Sequence, residues 1–89
     1  VPNVEIILPA ALVALFPGSP RRLAVSATNV SEAIDALDSN WPGMGDRIRD
    51  STPSIRRHMN VFVDGERATL ETRLATGAEM FVMTAISGG

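Results

Sequence analysis

The chain predicts an α+β domain: a mixed sheet of four to five strands with one main helix packed across it. Three observations carry this reading. Apolar residues alternate with period two near both ends, a single capped helical stripe lies between them, and turn signals separate each segment from the next. The 89 residues provide for one compact core and are too few for two, since a domain of this size buries only roughly 60% of its unfolded surface.

The elements follow in chain order. Val4, Ile6 and Leu8 alternate with Asn3, Glu5 and Ile7, and Pro9 ends that strand. The apolar stretch that follows, up to Phe16, is broken by Pro9 and Pro17, which makes it a core-facing turn or short helix. After Pro17-Gly18-Ser19-Pro20, the segment Leu23-Ala24-Val25-Ser26 repeats the strand pattern, antiparallel to the first. The main helix starts at Asn29, an N-cap with Glu32 three residues on, and Val30, Ala33, Ile34, Leu37 and Trp41 recur at helical spacing. Pro42-Gly43 stops it. A short helical turn is expected over residues 46–50, then a surface loop at Ser51-Thr52-Pro53-Ser54. Met59, Val61 and Val63 form one face of the next strand, with Asn60 and Phe62 on the other, and Asp64-Gly65 signals a turn. A short edge strand is expected over residues 67–70 and the last strand over residues 80–86, returning beside the first. Met80, Val82 and Thr84 are assigned to the core.

Composition excludes several function classes. No cysteine is present, which removes disulfides, thiolate catalysis and cysteine-bound zinc. His58 is the only histidine and has no nearby cluster, so no metal site is expected and His58 serves as a lead-in to a strand. The acidic and basic residues are scattered, offering no acid/base pair, and Gly43-Met44-Gly45 lacks the Lys-Ser/Thr of a phosphate loop. With a net charge of −2 and only the isolated pairs Arg21-Arg22 and Arg56-Arg57, no nucleic-acid footprint is visible. No apolar run approaches the roughly 17–25 residues of a membrane span, and no signal-peptide pattern occurs at the start, so the expected location is cytoplasmic.

The remaining feature is the end, Ser87-Gly88-Gly89. Glycine has no Cβ and admits close approach of another chain, so a terminal carboxylate on this arm can enter a narrow active site. The reading is a domain over residues 1–86 and a flexible diglycine tail over residues 87–89.

Taken together, Asn29-Val30-Ser31-Glu32-Ala33-Ile34, Trp41-Pro42-Gly43-Met44, Asn60-Val61-Phe62-Val63-Asp64-Gly65-Glu66, Thr76-Gly77 and the closing Gly88-Gly89 resemble the ThiS/MoaD family of ubiquitin-like β-grasp sulfur carriers. The resemblance implies that an E1-like adenylating enzyme of the ThiF/MoeB type uses ATP and Mg²⁺ to activate the carboxylate of Gly89. A sulfur donor then forms a thiocarboxylate, which an acceptor synthase consumes. Gly88 and Ser87 thread the tail, and the chain itself binds no cofactor and is no enzyme. The alternative is a ubiquitin-like modifier joined to target lysines through the same glycine. This chain has no lysine to act as its own acceptor. Ala78 stands where the family commonly has aspartate, and no proline precedes the tail at Thr84-Ala85. Period two also turns Phe81 and Met83 away from the core beside Phe62, so these three are expected to form an exposed patch that docks the activating partner.

Overall fold

A computed structural model describes residues 2–52 and 54–84. Five strands, β1 (Asn3–Ile7), β2 (Arg22–Ser26), β3 (Met59–Val63), β4 (Glu66–Arg67) and β5 (Glu79–Thr84), form one mixed sheet. Their order is β2-β1-β5-β3-β4. The central pair, β1 and β5, runs parallel with Ile6 opposite Met80, and the other pairings are antiparallel. The last strand therefore lies beside the first. Three helices interrupt the strands: α1 (Ala10–Leu15), α2 (Val30–Asn40) and α3 (Met44–Ile48).

Alternation builds one apolar face of the sheet from Val4, Ile6, Val61, Met80 and Val82, all at most 2% exposed. Against it lies the stripe of α2, where Val30, Ala33, Ile34 and Leu37 are fully buried. Burying each large side chain here stabilises the fold by about 1.5–3 kcal/mol. Asn29 caps α2, its Oδ1 accepting from the Glu32 amide at 2.8 Å. Glu32 reaches back one residue further than a standard capping box, accepting from the Thr28 hydroxyl and amide. Those bonds, the hydroxyl first, hold the Glu32 carboxyl below its usual range.

Several boundaries differ from the sequence expectation. Helix α2 ends at Asn40, and Trp41 is its C-cap, half-buried against the core. Helix α3 begins at Met44 rather than Asp46, with Met44 and Ile48 both fully buried. Asp38 explains the early start: its Oδ1 accepts from the amides of Gly43 and Gly45 at 3.1 and 3.0 Å, supplying partners at the mouth of a new helix. Gly43 turns the chain with φ +97°, and a Cβ on Gly45 would come within 3.0 Å of Asp38. The edge strand β4 is two residues long, ending before Ala68 and Leu70 turn into the core. Thr84 is exposed and not part of the core. Helix α1 confirms a helix in the first connection, but only Leu12 of its residues is buried. The expected end of the last strand at residues 85 and 86, and the tail at 87–89, lie outside the described residues.

Candidate functional site

The reacting carboxylate assigned to Gly89, together with Gly88 and Ser87, lies outside the described residues. The structure does place the strand that leads to it. β5 runs from Glu79 to Thr84, and antiparallel pairing sets Thr84 opposite Met59, the first residue of β3. His58 immediately precedes that strand and is exposed. Because β1 is parallel to β5, its C-terminal end and the following α1 reach the same end of the sheet. There Thr84 borders a groove of about 590 Å³, lined by α1, by Asp46 and Arg47 of α3, and by Arg56, His58 and Met59.

The three docking candidates share the sheet face opposite α2. Phe62 pairs directly with Phe81, and Met83 pairs with Asn60, across the β3–β5 ladder. The aromatic side chains are half-buried, whereas Met83 is 48% exposed. Of the expected exposed patch, Met83 is exposed and the two aromatic rings are only partly so. Arg67 lies opposite Phe62 on β4 with its guanidinium 5.8 Å from the ring centroid, and Ile7 of β1 stands beside Phe81 on the other side. Each neighbour removes some aromatic surface from water, and the arginine adds a cation–π contact. The result is one row across five strands, Arg22, Ile7, Phe81, Phe62 and Arg67. Sequence reasoning missed Ile7 and Arg67. The alternation of β1 already turned Ile7 outward, but only the parallel register aligns it with Phe81.

Among the described residues no group of three or more His, Asp or Glu side chains could hold a metal ion, and no helix is long and apolar enough to cross a membrane.

A β2-β1-β5-β3-β4 sheet crossed by one long helix is the ubiquitin-like β-grasp arrangement, and solved structures agree. SAMP1 from Haloferax volcanii superposes with a TM-score of 0.80 at 31% identity, covering 98% of this chain and 99% of that one. A chain of the Amycolatopsis orientalis BexX/CysO complex gives 0.85 at 24% identity, covering 97% and 99% of the two chains, a likeness of fold. The ThiS family model matches residues 14–89, and the chain belongs to that family. Among its relatives, the sulfur carrier protein CysO of Mycobacterium tuberculosis is 27% identical over 98% of this chain and 99% of that protein. Small archaeal modifier protein 1 of Haloferax volcanii is 33% identical over 67% of this chain and 69% of its own length. The class is therefore that of sulfur carriers and ubiquitin-like modifiers, small carrier proteins and not catalysts.

Proposed function

We propose that this chain is a sulfur carrier whose Gly89 carboxylate is the working group. An E1-like partner of the ThiF/MoeB type, binding ATP and Mg²⁺, joins a carboxylate oxygen to the α-phosphorus with loss of pyrophosphate. Sulfide from a donor then attacks the carbonyl carbon, AMP leaves, and a thiocarboxylate remains for an acceptor synthase. The observation that carries this reading is the family match, which runs through Gly88-Gly89 to residue 89.

The chain's own part is positional. Ser87 and Gly88 form a slender stem that enters the partner's site, where the absence of a Cβ on glycine admits close walls. Phe62, Phe81 and Met83 dock the partner, Met83 adapting its unbranched side chain to the surface it meets. Activation needs an organised nucleotide site on the partner, because charge developing at the transferring phosphoryl group must meet fixed donors and metal.

A second reading, a modifier conjugated to lysines of other proteins, is favoured by the 33% identity to small archaeal modifier protein 1. Mass spectrometry separates the two. Incubation with the cognate activating enzyme, ATP and sulfide exchanges one oxygen of the chain for sulfur if it is a carrier. Covalent adducts on lysines of other chains, with no such exchange, identify a modifier.

A further inference from the structure

Residues 8–21 connect two antiparallel neighbours, β1 and β2, where a two-residue turn would suffice. Instead the connection holds α1, a six-residue helix of sequence Ala-Ala-Leu-Val-Ala-Leu. Leu12 anchors it, while Leu15 stands 54% exposed. A single exposed leucine is ordinary on a surface, but this one lines a groove together with buried apolar residues. The groove beneath joins Leu12 and Leu15 to Met59, and its rim carries Arg47, Arg56 and His58 against the single acid Asp46.

Of the arginines at this end of the sheet, Arg47 and Arg56 line the groove. Arg21 and Arg22 lie beside the end of β1, with Arg22 opposite Ile7 and the Arg21 carbonyl accepting from the Leu8 amide, but they do not line the groove, and Arg22 is paired with Glu5. Among the described residues the ion pairs are Arg22–Glu5 and Arg49–Asp35, so Arg47 and Arg56 have no carboxylate partner. The Arg56 Nε donates to the Asp46 carbonyl, which fixes the side chain at the rim without neutralising it.

We propose that this groove is a second docking site, separate from the Phe62–Phe81 face, for an acidic and apolar peptide segment of a partner protein. A leucine or phenylalanine of the segment seats against Leu12, Leu15 and Met59, and a flanking carboxylate meets Arg47 and Arg56. A free anion fits less well, since it leaves the apolar floor wet. That the segment belongs to a protein acting on the tail rests on the function proposed above; the peptide chemistry does not.

The test uses the isotopically labelled full chain and an eight-residue peptide alternating leucine with glutamate, followed by NMR. Amide shifts centred on Leu15, Arg47 and His58 are expected, weakening about tenfold or more in Leu15→Glu and in Arg47→Glu, as for loss of an apolar anchor or a paired charge. Both positions are exposed, so the fold is retained. A control peptide with lysine for glutamate should leave the groove unshifted. Equal shifts with both peptides, shifts centred on Phe62 and Phe81, or shifts reproduced by raising the chain's own concentration would each overturn the proposal. The last would instead identify a second copy of the chain as the occupant. None of these results depends on whether Gly89 is adenylated.

Discussion

The two ends of the sheet are built differently. At the end where β5 begins, the backbone is stitched shut: the Gly77 amide donates to the Asn3 carbonyl at 2.8 Å, Glu5 to Ala78, and Asp64 to Glu79. Asp64 also accepts the Glu79 amide on its side chain at 3.0 Å. Asp64, Gly65 and Gly77 all take positive φ to make these turns, and the exposed side chains Asp64 and Glu79 are acidic, while Glu5 pairs with Arg22. At the end where β5 finishes lies a groove lined by Leu12 and Leu15 and by Arg47 and Arg56. One end closes the fold by satisfying its own hydrogen bonds. At the other, among the described residues, Leu15 stays exposed, Arg47 and Arg56 make no ion pair, and β5 ends at Thr84. Charge separation of this kind orients an approaching partner before contact, an effect that weakens with salt.

Perturbations rank accordingly. The largest effect is expected in the core that both ends share: Ile34→Ala leaves a cavity under α2 and should cost about 2–5 kcal/mol, read by chemical denaturation, out of a total of roughly 5–15 kcal/mol for a domain. At the working face, Phe81→Asp combined with Met83→Asp should lower the partner's kcat/KM for activating the chain at least about tenfold, given the 1.5–3 kcal/mol available from each buried side chain. Met83→Asp alone, at a position 48% exposed, should weaken activation with an unchanged melting temperature. At the closed end the dependence inverts. Asp64→Ala removes the bond to the Glu79 amide and puts alanine at φ +50°, costing about 1–2 kcal/mol of stability while leaving activation kinetics unchanged. Asn29→Ala, also away from the tail, should cost about 1 kcal/mol through the lost cap.

The smallest effect concerns the loop between α3 and β3. Asp50 accepts from the Thr52 hydroxyl and amide and from Ser54. These bonds, the Thr52 hydroxyl foremost, lower its pKa from the ordinary 3.8 to about 2. A depressed carboxyl pKa contributes stability fully present above the unfolded value and lost as pH falls through the folded one. The protection of the Thr52 and Ser54 amides, as exchange relative to the intrinsic rate at each pH, should therefore be constant above pH 3.8 and fall toward pH 2. Asp50→Asn should remove that pH response.

Much of this architecture is legible in the sequence, for identifiable reasons. Val4, Ile6 and Leu8, and the stripe from Val30 to Leu37, declare their periods because each buries one face only. The return of the last strand beside the first also holds. The start of α3 was hidden because Gly43 and Gly45 are local breakers, and only the Asp38 carboxylate turns them into a helix entry. Thr84 follows the alternation of Met80 and Val82, yet it lies past the reach of the core and is exposed. Arg47 and Arg56 carry no sequence signal that they share a groove; the bond from the Arg56 side chain back to the Asp46 carbonyl of α3 brings them to it. For the site, the row of Phe62 and Phe81 followed from period two, whereas Ile7, Arg67 and the groove under α1 depend on which strands and helices become neighbours.

The central claim is that the end of β5 carries the working group. It is tested most directly by ATP–pyrophosphate exchange catalysed by the cognate activating enzyme, comparing the full chain with one lacking Gly88-Gly89. The account predicts exchange with the full chain and none above background with the shortened one, both folding alike. Undiminished exchange after removal of the two glycines would contradict it.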